Sequence, residues 1–308
     1  MPLSFTERST TAAAASTGAR GATDLGLPPP EQLARGDFEM VIRRLADDLA
    51  FGSDASRLLG SGLEYAGSRV YEPGDPVRQL DWRRTARTGV AHVREYEALK
   101  RTAVHLVVDT SASMAVGSTA RTKHDLAVWI AAAVGLVALR RLSPVAVVGA
   151  GERRVPSLPS LSRSDLHAAL EPLRAKAFDE RTSLAEQLDL ATTRAERAGV
   201  FMVISDLHDP AALAAIRRTS RGHDCAVVHL VDPAEHAPLR AGVLRAREAE
   251  TGRTFLASGR RALVDLERTR GDLLRSGADV LRLAVDRPFI PPLRRFLAAR
   301  GASRRGRG

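Results

Sequence analysis

The stretch His105-Leu106-Val107-Val108-Asp109-Thr110-Ser111-Ala112-Ser113-Met114 decides how the chain is read. It begins apolar and rich in β-branched residues, then changes to an acid and hydroxyls at alternate positions. A short apolar run bounded by small polar residues predicts a buried strand whose carboxyl end opens into a loop. In a parallel α/β sheet, ligands bind at that end. Asp109, Ser111 and Ser113 then place three oxygen ligands at the mouth of the sheet. Oxygen-only ligands of mixed charge suit a hard cation such as Mg²⁺.

Downstream of this strand, apolar runs and helical periodicities alternate. Strands are predicted at 104–109, 145–148, 200–204, 225–231 and 280–283, with 152–155 pairing beside the second. Helices are predicted at 123–141, 164–175, 183–197 (Leu184, Leu188, Leu190 and Ala191 inward), 211–217, 261–275 and 292–300. A hairpin at 243–254 turns at Thr251-Gly252. The helix from Lys123 is apolar on nearly every face, so it must be covered on both sides. This βαβα order predicts an α/β fold with a doubly wound, mostly parallel sheet.

Upstream the texture differs. Residues 1–36 are rich in Thr, Ala, Ser, Gly and Pro and read as a disordered tail. An amphipathic helix follows at 37–51, with Met40, Ile42, Leu45, Leu49 and Phe51 as its apolar positions. The segment 60–97 contains the Pro73-Gly74 turn, Trp82, several Arg and all three Tyr of the chain. It reads either as a recognition surface or as a small β-hairpin appendage stapled to the main domain by ion pairs. The expected organisation is thus a tail (1–36), a helix with a hairpin segment (37–100), an α/β domain (101–300) and a basic tail (301–308).

Three strand ends carry polar groups together. Thr182 opens a helix after Asp179-Glu180-Arg181, and Asp206 follows the strand 200–204. If these strands are neighbours, Asp109, Ser111, Ser113, Thr182 and Asp206 converge as two carboxylates and three hydroxyls. Such a set can hold one Mg²⁺ with waters in the remaining positions. Two formal negative charges leave the ion electrophilic, so a carboxylate from a partner would complete its shell. Singly, each residue has a duller reading: Ser111 and Ser113 as turn caps, Thr182 and Asp206 as helix caps.

Asp109-Thr110-Ser111-Ala112-Ser113, Thr182 and Asp206 together resemble the metal-ion-dependent adhesion site of von Willebrand factor type A domains. The segment from Gly62-Leu63-Glu64 through Tyr71-Glu72-Pro73-Gly74-Asp75, Arg78, Asp81-Trp82, Thr85-Ala86-Arg87-Thr88-Gly89 and Val93-Arg94-Glu95-Tyr96-Glu97 resembles the signature of the bacterial domain-of-unknown-function 58 family. The likeness extends over about residues 40–300 and includes Asp232-Pro233-Ala234-Glu235, Glu250-Thr251-Gly252 and Phe296-Leu297-Ala298-Ala299-Arg300. It implies a type A-like domain with a small β-element before it. It also implies a non-enzymatic adaptor working with a MoxR-type AAA+ ATPase on a client protein, in complex assembly or metal-centre maturation. The implied cofactor is Mg²⁺, with Mn²⁺ or Ca²⁺ as substitutes. Many relatives carry membrane helices before the signature, where this chain has a polar, Pro-rich lead.

Rival chemistries are weakly supported. An aspartic protease needs two carboxylates sharing a proton, and no second Asp-Thr-Gly-like stretch exists. An Asp-x-Asp phosphatase needs an acid where Ser111 stands. His105, His124 or His208 could serve a triad, but no Gly-x-Ser-x-Gly elbow and no P-loop is present. The formal net charge of +10 suggests nucleic acid as an alternative partner. Against that, the Arg residues are dispersed and no aromatic platform is interleaved with them. Lys is confined to Lys100, Lys123 and Lys176. The lone Cys225 lies in an apolar run and reads as a buried thiol. The longest apolar run, 126–139, falls short of the roughly 20 residues that span a bilayer. A soluble, cytoplasmic protein is therefore expected.

Overall fold

A computed structural model describes residues 27–50, 64–97, 102–153, 155, 158–209, 211–236, 243–247, 254–258 and 266–303. In chain order these form α1 (Arg35–Ala50), β1 (Glu64–Val70), α2 (Trp82–Thr88), β2 (His92–Glu97), β3 (Val104–Val108), α3 (Ala112–Ala115) and α4 (Lys123–Arg140). Next come β4 (Val145–Gly149), α5 (Arg163–Leu170), α6 (Leu184–Arg194), β5 (Val200–Ser205), α7 (Ala212–Gly222) and β6 (Asp224–Val231). The chain continues with α8 (Pro233–His236), β7 (Val243–Arg247), β8 (Thr254–Ser258), α9 (Leu266–Arg275), β9 (Asp279–Ala284) and α10 (Ile290–Ser303).

β4-β3-β5-β6-β9 form one five-stranded sheet in that order, and every pairing in it is parallel. Parallel strands covered on both faces read as continuous apolar runs, and all five residues of β3 are buried. The pleat sends alternate residues to opposite faces. Val104, Leu106 and Val108 join Met202, Ile204, Ala226 and Val228 in a core shared with α1, α4, α5 and α10. Val107, Phe201, Val203, Cys225 and Val227 join a second core under α6, α7 and α9. Helices on both faces make the sheet doubly wound.

α4 is the centre of the larger core. Thr122 and Asp125 form a capping box, the Thr122 hydroxyl accepting from the Asp125 amide and the Asp125 carboxylate from the Thr122 amide. Every residue of α4 up to Leu139 is buried, because α1 covers the side the sheet leaves open. Trp129 is fully buried against Phe38 of α1, with ring centroids 5.2 Å apart.

Several expectations are corrected. Met40 is exposed, and α1 buries Phe38, Ile42, Leu45, Ala46 and Leu49 instead; Phe51 lies outside the described residues. The 1–36 tail is too long: Leu27 and Leu33 pack on the core, Pro30 is buried, and the Arg174 guanidinium donates to the Pro30 carbonyl. Leu190 of α6 is exposed. The strand at 152–155 is not formed among the described residues; Ser160 bridges antiparallel to Val145 in its place. The segment 64–97 is an antiparallel pair, β1 and β2, with α2 between them. Asp81 caps α2 by accepting from the Arg84 amide, and Gly89 ends it in a left-handed conformation. β7 and β8 pair antiparallel, while Thr251-Gly252 lies outside the described residues. Residues 301–303 continue α10 rather than beginning a tail. Among the described residues no helix is long and apolar enough to cross a membrane.

Candidate functional site

The crossover direction reverses between β3 and β5. β3 connects to β4 on one side, and the chain then passes back to place β5 on the other. Open α/β sheets bind ligands in the crevice outside the carboxyl ends at such a point. Asp109 follows β3 and Asp206 follows β5, and the register pairs Val108 with Ile204, so the two acids stand side by side.

Asp109 is buried and fully engaged. Its Oδ1 accepts from the Ser111 amide at 3.0 Å and its Oδ2 from the Ser205 hydroxyl at 2.6 Å. Ser111 Oγ lies 3.1 Å from Ser113 Oγ, and the Ser113 hydroxyl hydrogen-bonds the Asp206 carboxylate. Asp109, Ser111, Ser113 and Asp206 therefore form one connected group. Burial, reinforced by the neighbouring Asp206 charge, pushes the Asp109 carboxyl up to about 7. Burial acts the same way on Asp206, but the Lys123 and His208 charges outweigh it and hold that carboxyl below its usual range.

Thr182 is placed differently. Its Oγ1 accepts from the Leu184 amide at 3.4 Å, a local bond at the start of α6. The loop carrying it reaches the mouth through Glu180. The Glu180 carbonyl accepts from the Ala112 amide at 2.7 Å, and its carboxylate from the Thr110 hydroxyl at 2.8 Å. Arg153 pairs with the same carboxylate at 2.7 Å. Gly151 makes this approach possible, because a Cβ there would sit 2.1 Å from Glu180 Oε1 and 2.3 Å from Thr110 Oγ1.

The residues that sequence reasoning missed are cationic and second-line acidic. Lys123, at the first turn of α4, is fully buried and donates to Asp206 Oδ2 at 2.7 Å and to Glu235 Oε1. Glu235 lies on α8, whose loop is latched to the mouth. Asp232 accepts from the Ser118 amide at 2.7 Å and from its hydroxyl, and these bonds outweigh burial to keep its carboxyl low. His208 Nδ1 lies 3.4 Å from Asp206 Oδ2. Leu207, between them, has a left-handed φ of 59°. That conformation is costly for a branched residue and is found where the surroundings impose it. Asp206, His208 and Glu235 offer ligand atoms within 4.8 Å of one another, a grouping that could hold a metal ion. The Lys123 ammonium bonds two of the three acceptors. A signal existed in the sequence. Lys123 and Lys176 are two of only three Lys in a chain of 46 basic residues, and both pair with buried acids, Lys176 with Asp125 at 3.0 Å. A compact ammonium fits between carboxylates where a planar guanidinium does not.

Two buried histidines, His105 and His229, are neutral near pH 7. Desolvation pushes His105 and His229 down to about 4, His105 with help from the His223 charge. The Cys225 thiol is buried and pushed up to about 12, which keeps it from acting as a thiolate.

An open, doubly wound α/β protein with an acid at each side of its switch point is the class that fold and site define. Residues 67–269 match the family described as "Protein of unknown function DUF58", and the chain belongs to that family. Uncharacterized proteins of Mycobacterium tuberculosis (strain H37Rv) and Mycobacterium bovis are 31% identical over 242 residues, covering 72% of this chain and 76% of theirs. The crystal structure of the Deinococcus radiodurans RO (RSR) protein aligns over 89% of this chain at 17% identity with a TM-score of 0.33. This chain spans 50% of that protein's length.

Proposed function

We propose that this protein is a non-enzymatic, Mg²⁺-dependent interaction module, with a site like the metal-ion-dependent adhesion site of type A domains. Asp109, Ser111, Ser113, Thr182 and Asp206 would hold the ion, Mn²⁺ or Ca²⁺ serving as substitutes. The observation that carries the reading is the linked group of Asp109, Ser111, Ser113 and Asp206 at the switch point of the sheet. The donors fit a hard cation: all are oxygens, and the Asp206 charge together with burial opposes ionisation of Asp109, which a cation would favour. A bound divalent cation supplies an open coordination position for a carboxylate of a partner protein.

The chain's own residues prepare that position. The Ser205 hydroxyl and the Ser111 amide fix both oxygens of Asp109. Lys123 keeps Asp206 ionised without contributing a ligand. Glu180 holds the Thr182 loop against the Thr110–Ala112 turn. We assign the partner to a MoxR-type AAA+ ATPase and its client, on the resemblance of the Gly62–Glu97 segment to its family's signature.

Thermal melts in Mg²⁺ and in EDTA test this. Mg²⁺ at about 100 times its dissociation constant should stabilise the native protein by about 2.7 kcal/mol. Asp109→Ala should abolish the shift. Identical wild-type midpoints in the two buffers would sink the reading.

A further inference from the structure

The amino end of the sheet carries a second, chemically opposite feature. α7 ends where β6 begins, and α9 ends just before β9. The two helix ends are joined by the Ser220 hydroxyl, which donates to the Ser276 carbonyl at 2.6 Å, and by Ile216 and Leu273 in the shared core. Between them lies an open cleft of about 790 Å³, lined by Arg217, Arg218, Arg221 and Arg275 with Leu213 and Asp272 among the other walls. Arg218 is bonded to Asp189 through two nitrogens, at 3.1 and 2.6 Å, and Arg275 pairs with Asp272. Arg217 and Arg221 sit four residues apart on one face of α7, both exposed. Neither makes an ion pair among the described residues.

We infer that this cleft binds an acidic, partly apolar peptide segment of a partner protein. Like charges four residues apart on a helix repel, and an anion bridging Arg217 and Arg221 relieves that. Guanidinium groups match carboxylates in a two-bond geometry. The helix dipole explains basic residues near the end of α7. It does not explain their convergence on a second helix that brings another Arg. Leu213 and Ala214 in the wall favour a chain with apolar side chains. No aromatic side chain lines the cleft among the described residues, so stacking of nucleic-acid bases has no platform there. The proposal is independent of the metal reading, because strand length separates cleft and mouth by roughly 20 Å.

Fluorescence anisotropy on the full chain tests it, with EDTA present so that the mouth takes no part. The probes are a labelled peptide of alternating Glu and Leu, the same peptide with Gln for Glu, and an oligothymidylate of equal charge. The Glu peptide should bind, and the Gln peptide and the oligonucleotide should bind more weakly. Arg217→Gln with Arg221→Gln should weaken the Glu peptide by at least about tenfold with an unchanged melting midpoint. Arg83→Gln with Arg87→Gln on α2 should leave its affinity unchanged. Equal binding by wild type and the Arg217/Arg221 variant overturns the proposal, as does equal loss in both variants. Tighter binding of the oligonucleotide, lost in the Arg217/Arg221 variant, assigns the cleft to nucleic acid and overturns it too.

Discussion

Asp109, Asp206 and Lys123, beyond the carboxyl ends of β3 and β5, are buried; the arginines of α7 and α9, near the amino ends of β6 and β9, line an open cleft. The mouth holds Asp109, Asp206 and Lys123 within 2% of full burial, while Arg217, Arg218, Arg221 and Arg275 stand in water. The same ionic chemistry carries different consequences at the two ends. A buried charge must be matched by a partner at close range, since desolvating it costs several kcal/mol. An exposed charge is already satisfied by water and salt. Substitutions at the mouth should therefore register in stability, and those at the cleft in binding.

Lys123 should show the largest effect. Lys123→Met preserves length and apolar stem but strands Asp206 and Glu235. Breaking one side of a buried pair costs about 3–5 kcal/mol. Urea denaturation in EDTA should show that loss, and adding Asp206→Asn should recover part of it, since the uncompensated carboxylate is then gone. A Lys123→Met variant as stable as wild type would mean the mouth does not behave as a buried site.

His105 tests burial through pH. It stacks on Phe201 with centroids 4.4 Å apart and is neutral at neutral pH, its value pushed down to about 4 by burial. The unfolded chain binds a proton near pH 6.5 while the folded protein does not. The sign follows: stability is full above about 6.5 and is lost as pH falls toward 4. Each pKa unit corresponds to about 1.4 kcal/mol, so His105 contributes at most about 3 kcal/mol of acid sensitivity. Asp109 has the opposite sign, because its raised value gives stability that is lost as pH rises toward 7. The difference between wild type and His105→Phe isolates the histidine. That difference should grow between pH 6.5 and 4; a constant offset across that range would show that His105 is solvated.

The contrast also marks what the sequence discloses. The five strands, the two-sided cover of the sheet and the acids at the strand ends are legible, because period and run length are local properties. Asp109 and Asp206 could be placed at one mouth because β3 and β5 end in the same texture. The scarcity of Lys sets Lys123 apart, but its place at the mouth depends on α4 beginning beside β5, which no local pattern states. Glu235 was visible only inside a four-residue motif with no assigned chemistry. Leu27 and Pro30 stand in a tail-like composition and find their apolar partners only after folding. The cleft arginines looked dispersed along the chain, and only the pairing of β6 with β9 brings Arg221 and Arg275 together.

The smallest effect should come from Arg218, and it is the sharpest comparison. Arg218 and Asp189 are 2.6 Å apart, while Lys123 and Asp206 are 2.7 Å apart, so distance does not separate the two pairs. Exposure does: the side chains of the first pair are 53% and 45% exposed, those of the second 0% and 1%. Exposed pairs contribute about 0.2–1 kcal/mol, and salt screens them. Arg218→Gln should therefore lower stability only slightly, and far less than Lys123→Met, at low ionic strength. The loss should vanish in 1 M NaCl, where the screening length is about 3 Å. The Lys123→Met loss should persist in the same salt, because water and ions do not reach that pair. If both losses fade together, the mouth admits solvent, and the physical distinction between the two ends of the sheet fails.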